Sequence, residues 1–236
     1  SYTGDNKYDS MIVNGTITVN KNTKTTLTMD NLVKYFNGPQ KLMAKLVDGF
    51  GNPIANATVY FTINGKVHDR ITDENGTAKL NIQLRPGNYI ITVFNLVTGE
   101  QAGNNVTVLS KIVENYDLVK YYKNASKFSV KILDSQGYPV ECTVVTFNIN
   151  GVFYTRQTNE NGVARLNINL RPGNYIITTI FEGLTIGNNI NVLPTLVTSD
   201  LSMKYLDGSK FTAQTLDGQG NPLTNQNVSF NINGVL

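Results

Sequence analysis

A chain of 236 residues with 40% hydrophobic residues has material for one or two packed domains. Only 16% of residues are charged and the net charge is +3, with no basic stripe interleaved with aromatics, so no nucleic-acid partner is expected. The single cysteine, Cys142, excludes an intramolecular disulfide, and no apolar run approaches the ~18 residues of a membrane helix, so this segment is expected not to insert in a membrane.

Asn, Thr, Val, Ile and Gly dominate where a helical protein would carry Glu and Lys, which favours strands and turns. Ser1 does not open a signal peptide, so a secreted protein would carry its signal elsewhere. Residues 1–20 resemble the closing hairpin of a repeat: Asn14-Gly-Thr-Ile-Thr-Val19 reads like Asn188-Asn-Ile-Asn-Val192. Asn20 to Asp30 reads as a polar connection. Two full repeats follow, at 31–110 and 115–194. Lys34 and Lys120, Pro53 and Pro139, and Gly87 and Gly173 are all separated by the same interval of about 86 positions. The register slips only in the loop Asn95 to Ala102. A third unit, 199–236, matches through Lys204-Tyr205, Asp217 and Gln219-Gly-Asn-Pro222.

Within each unit the period is two. Val59, Phe61 and Ile63 alternate with polar neighbours, as do Val145, Phe147 and Ile149, and Val228, Phe230 and Ile232. Ala78, Leu80, Ile82 and Leu84 form another half-buried strand pattern. Gly51-Asn-Pro53 and Gly137-Tyr-Pro139 stop a strand, and Asn64-Gly65 and Asn75-Gly76 carry two-residue hairpin chemistry. About seven strands per unit and no convincing helical window predict an all-β chain of tandem immunoglobulin-like β-sandwich domains, two complete and two partial. Tyr89 and Tyr175, after Arg-Pro-Gly-Asn, are expected to act as structural tyrosine corners.

The words Lys-Tyr-Tyr, Leu-Asp-x-x-Gly-x-Pro-Val, Phe-Asn-Ile-Asn-Gly-Val, Thr-Asn-Glu-Asn-Gly-x-Ala-x-Leu-Asn-Ile and Arg-Pro-Gly-Asn-Tyr resemble the immunoglobulin-like repeats of large adhesin-like cell-surface proteins of methanogenic archaea. Tyr2-Thr-Gly-Asp-Asn-Lys-Tyr8 resembles the end of a bacterial-type Ig-like repeat. The resemblance covers essentially the whole chain. It implies a long, secreted, envelope-anchored parent and brings no catalytic residues.

Few residues suggest chemistry. His68 is the only histidine and is replaced by Tyr154 in the second repeat, while Cys142 is matched by Asn56, so a Cys–His nucleophile pair yields to surface or core roles. The turns Asp73-Glu-Asn-Gly76 and Asn159-Glu-Asn-Gly162 offer too few carboxylates for calcium and read as turns. No metal or cofactor is expected. Lys45, Lys131, Glu182 and Asn191 are candidates for an intramolecular isopeptide bond, weighed against solvated lysines; Gln214 stands at the lysine position of the third unit. Sequons place possible N-glycosylation at Asn14, Asn56, Asn75, Asn105, Asn124 and Asn227, against chance occurrence in an Asn- and Thr-rich chain. Arg70 and Arg156, and Arg85 and Arg171, repeat as contact candidates, against roles in edge solubility and packing over a tyrosine.

The expected function is a non-catalytic stalk or adhesive module of an extracellular, cell-surface adhesin-like protein. Its partners would be neighbouring repeats of the same protein, and surface glycans or proteins of a host or microbe. The alternative is a structural subunit of an extracellular filament or coat, assembled by strand complementation at the incomplete ends. An accessory module of an enzyme is a third reading.

Overall fold

The computed structural model describes residues 24–234, together with 6, 7, 12 and 14–16. The described residues contain eighteen strands and no helix. Strands β1 (Thr25–Met29), β2 (Leu32–Tyr35), β3 (Lys41–Asp48), β4 (Thr58–Ile63), β5 (Lys66–Ile71), β6 (Thr77–Asn81), β7 (Gly87–Asn95) and β8 (Glu100–Leu109) come first. They form a three-stranded sheet, β1-β3-β6, and a five-stranded sheet, β2-β8-β7-β4-β5.

The pattern then recurs. Strands β9 (Ile112–Val113), β10 (Leu118–Tyr121), β11 (Lys127–Ile132), β12 (Val144–Ile149), β13 (Val152–Gln157), β14 (Val163–Asn167), β15 (Gly173–Phe181) and β16 (Leu184–Leu193) form the sheets β14-β11-β9 and β10-β16-β15-β12-β13. Strands β17 (Leu196–Thr198) and β18 (Ala213–Thr215) pair with each other. Two antiparallel-rich sheets joined by strands that cross between them, with the first strand split, make an immunoglobulin-like β-sandwich. The split explains why eight strands appear where about seven were expected. In the second sandwich β9 pairs antiparallel with β11, and β10 crosses over to run parallel to β16.

The chain divides into two compact units. The first comprises the described residues up to Leu32, with Lys41–Ile82 and Tyr89–Val106. The second comprises Val33–Gln40, Gln83–Asn88 and the described residues from Thr107 onward. In the first, the inward alternation buries Leu42, Leu46, Val59, Phe61, Leu80, Ile91 and Val93. In the second, Phe128 and Phe147 meet edge to face, with ring centroids 5.8 Å apart, inside a cluster that includes Val145, Ile149, Leu166, Ile177 and Ile190.

Three sequence expectations change here. The segment Asn20 to Asp30, read as a connection, contains β1, with Leu27 and Met29 buried and β1 paired to β3. Its threonines are β-branched and fit a pleated surface as well as a linker. Asn64-Gly65 does make the tight β4–β5 hairpin, both residues at positive φ (47° and 75°). Asn75-Gly76 is not a hairpin. β5 and β6 lie in different sheets, so this turn carries the chain across the sandwich. Finally, no strand forms at Val228 to Ile232. Among the described residues this segment carries only a bridge, at Ile232, which is 72% exposed. The expected hairpin at 1–20 lies outside the described residues apart from 6, 7, 12 and 14–16.

Internal repetition supplies a natural control. Thr179 on β15 is fully buried, and its hydroxyl has no hydrogen-bond partner among the described residues. The matching residue of β7 is Val93, also fully buried. Thr179→Val should therefore raise the unfolding free energy by about 1–2 kcal/mol, because an unsatisfied buried hydroxyl is replaced by a methyl of the same shape. Urea titration checks this. An unchanged or lower midpoint would mean that a water satisfies the hydroxyl.

Candidate functional site

The best-defined local geometry is a turn built three times. Asp48, Asp134 and Asp217 each end a strand or bridge segment, and each accepts backbone N–H bonds at Oδ1: from Phe50 and Asn52, from Gln136 and Tyr138, and from Gln219 and Asn221, all at 2.8–2.9 Å. A glycine follows at positive φ, Gly51 (87°), Gly137 (95°) and Gly220 (87°), and its N–H donates back to the aspartate carbonyl. The prolines then form isolated bridges, Val47 to Pro53, Leu133 to Pro139 and Leu216 to Pro222. The Asp-x-x-Gly-x-Pro word therefore encodes one rigid loop.

These bonds favour the charged carboxylate. The Asn52 side chain and backbone N–H groups hold Asp48 below the usual aspartate range, the Tyr138 N–H leads for Asp134, and the Asn221 N–H leads for Asp217. A folded-state pKa below the unfolded value gives stability that is present above the unfolded value and is lost as pH falls through the folded one. Stability should thus be flat near neutrality and decline below about pH 4. Urea midpoints measured at neutral and acid pH check this, and Asp134→Asn should flatten the slope. An acid limb unchanged by that substitution would overturn the assignment.

Two further anchors were not singled out in the sequence. Thr72 and Thr158 are buried, and each hydroxyl donates to the segment that precedes β4 or β12, to the Ile54 carbonyl at 2.7 Å and the Val140 carbonyl at 2.6 Å. Each also accepts a backbone N–H, from Ala57 and Thr143. Where the first strand splits, Asn31 Oδ1 accepts the Asn105 N–H and Asp117 Oδ1 accepts the Asn189 N–H. The Asn189 amide also holds the Asp117 carboxyl below its ordinary range. The signal for both anchors is a polar residue held at the same repeat position, legible only once its partners are known.

The residues expected to carry chemistry are placed as follows. Lys131 pairs with Glu114 at 3.0 Å, and Glu182 pairs with the buried Lys111 at 2.5 Å. Lys45 is exposed on β3, and Asn191 lies half-buried on β16. Neither ion pair joins two members of the isopeptide candidate set. The repeated lysines Lys34 and Lys120 are buried, which pushes their ammonium groups down. Lys120 Nζ donates to the carbonyls of Ser126 and Ile168.

Among the sequons, Asn14, Asn56, Asn75, Asn105 and Asn227 are exposed. Asn124 is half-buried and its amide donates to the Gly218 carbonyl at 2.5 Å. Asn56 and Asn225 sit at left-handed φ of 56° and 55°, and Cys142 takes the same seat at 54°, exposed. Cys142 therefore occupies the turn position that Asn56 and Asn225 take in the other repeats. His68 is half-buried on β5, in the other compact unit. Asp73 is fully engaged: Oδ1 accepts the Asn75 and Thr77 N–H groups and Oδ2 the Lys79 ammonium. No group of His, Cys, Asp and Glu suited to a metal forms among the described residues.

Arg70 and Arg156 bond the carbonyls of their own strands, at Asp69 and Thr155, and Arg85 donates to the Gly183 carbonyl. Tyr175 Oη donates to the Arg171 carbonyl at 2.8 Å, which makes it a tyrosine corner. Tyr89 holds the matching position on β7.

No family model matches the chain. It is similar to the inverse autotransporter adhesin YeeJ of Escherichia coli (strain K12), 26% identical over 269 residues. That match covers 95% of this chain and 11% of the adhesin, so the chain spans about a ninth of that relative's length. Among solved structures, the titin I9–I11 tandem is 11% identical with a TM-score of 0.40, covering 75% of this chain and 68% of that tandem. Invasin, a bacterial integrin-binding protein, is 17% identical with a TM-score of 0.32, covering 86% of this chain and 48% of invasin's. The fold assignment rests on the sheet order. The sequence similarity is to a bacterial adhesin. No helix among the described residues is long and apolar enough to cross a membrane.

Proposed function

We propose that this chain is a segment of an extracellular, cell-surface adhesin-like protein in which tandem immunoglobulin-like repeats serve as a stalk. The observation that carries the reading is the similarity to an inverse autotransporter adhesin over 95% of the chain. Two successive eight-stranded sandwiches with the same sheet order support it, because repeated modules joined by short segments extend a protein without chemistry of their own. The repeat boundaries proposed are those of the sequence, with each first strand added upstream, at Thr25 and Ile112. An archaeal source goes with this reading and rests on the repeat words alone. Exposed asparagine sequons would carry glycan on such a stalk.

The test inserts the chain between a membrane anchor and a binding domain of known ligand on a cell surface. A stalk lengthens the reach of that domain, while beads coated with the chain itself stay unbound on arrays of surface glycans and matrix proteins. Specific retention of the beads would make the chain an adhesive module instead. A second reading, assembly into filaments, is favoured by one feature: Leu206, Phe230 and Ile232, in the third unit, are exposed. Light scattering across a wide concentration range separates the two, with open growth supporting assembly and a constant mass supporting the stalk.

A further inference from the structure

The repeated Lys-Tyr dipeptide has two faces. Along β10, alternation turns Lys120 inward, where its ammonium is held by two carbonyls, and turns Tyr121 the other way. What Tyr121 meets is Gly220, in the Asp-x-x-Gly-x-Pro loop of the following repeat. A Cβ added to Gly220 would lie 2.8 Å from Tyr121 Oη and closer still to its ring. Tyr35, the matching residue on β2, meets Gly137 in the same way: a Cβ there would lie 2.9 Å from Tyr35 Oη. All of these residues belong to the second compact unit.

The position after each tyrosine turn is matched by size. Next to Tyr35 the chain has Gly38, and facing it is the Ser135 carbonyl, 3.1 Å from where a Cβ of Gly38 would stand. Next to Tyr121 it has the larger Asn124, and facing it is the smaller Gly218, whose added Cβ would lie 3.3 Å from the Asn124 backbone. Asn124 then donates to the Gly218 carbonyl. Small opposes large in one place and large opposes small in the other. Phe36 adds to the first contact by packing on the Phe128–Phe147 core, and Arg85 by bonding the Gly183 carbonyl.

We propose that the Asp-x-x-Gly-x-Pro loop of each repeat is a seat for the tyrosine that closes the second strand of the preceding repeat. The seat couples successive repeats, so that they move and unfold together. Its partner is another copy of the same repeat, recognised by a ring laid on a glycine and a size-matched residue beside it. This holds whether the chain serves as a stalk, an adhesive surface or a coat.

The test uses the full chain. Gly51, Gly137 and Gly220 share the same left-handed loop, but no described residue stands within 4 Å of a Cβ added at Gly51. Gly51→Ala therefore reports backbone strain alone, and Gly137→Ala reports strain plus the loss of the seat. Gly137→Ala should lower the folding equilibrium constant at least about fivefold more than Gly51→Ala, and that excess should vanish in a Tyr35→Leu background. Amide relaxation should show the residues of the two repeats tumbling independently in Gly137→Ala and together in Gly51→Ala.

The size match supplies a second arm that needs no strained residue. Gly218→Ser should loosen the joint, and adding Asn124→Gly, which recreates the Gly38–Ser135 pair, should restore it. Equal costs at Gly51 and Gly137, no coupling to Tyr35, or no rescue by Asn124→Gly would each overturn the proposal.

Discussion

Phe147→Ala should lower the stability of the second sandwich by about 3–5 kcal/mol, the usual cost of removing a buried phenylalanine ring. Phe147 is fully buried at the middle of β12, which is hydrogen-bonded on both sides, by β13 and β15. Its ring is perpendicular to that of Phe128 across the core (interplanar angle 89°), so the truncation removes an aromatic pair as well as apolar area. Strands paired on both sides cannot close the gap without breaking their ladders, which keeps the cavity open. Domains of this size have about 5–15 kcal/mol in total, so the loss is a large share of the whole. Phe147→Leu fills most of the space and should cost well under half as much. Urea titration of both variants measures the difference. A loss below about 1 kcal/mol for the alanine variant would mean that the sheets collapse onto the gap.

Thr158→Val is the second large effect, about 2–3 kcal/mol, although the two side chains have the same shape. The hydroxyl is buried, donates to the Val140 carbonyl at 2.6 Å and accepts the Thr143 N–H at 3.0 Å. Valine leaves one half-buried acceptor and one half-buried donor without those bonds. Thr158→Ser keeps the hydroxyl and loses only a methyl, about 1 kcal/mol. If serine costs as much as valine, the methyl packing and not the hydroxyl holds the segment. Thr72 makes the equivalent bonds in the first repeat, to Ile54 and Ala57, so Thr72→Val should follow the same pattern.

Part of this molecule could be read from residues alone. Alternation at Val145, Phe147 and Ile149 gave the face that is buried, because a strand places successive side chains on opposite sides whatever surrounds it. Asn64-Gly65 gave a hairpin because the two residues tolerate the left-handed conformation that turn needs. Asn75-Gly76 carried the same letters and meant something else. Asp73 captures the N–H groups of Asn75 and Thr77, only the glycine is left-handed, and the chain passes to the other sheet. A dipeptide does not report which sheet the next strand will join.

The sequence by itself determined the repeat, the strand pattern and the rigid Asp-x-x-Gly-x-Pro loop, since all three depend on interactions within a few residues. Tertiary structure alone decided the rest. β1 is a strand because β3 lies beside it, whereas Val228 to Ile232, with the same alternation, carries only a bridge at Ile232. Lys34 and Lys120 are buried where charge alone would put them in water, because backbone carbonyls such as those of Ser126 and Ile168 converge on the ammonium of Lys120. Tyr35 and Tyr121 look like two repeated aromatics until Gly137 and Gly220 are seen beneath their rings. Those contacts join residues about a hundred positions apart, and their free energy depends on partners that no local window of sequence contains.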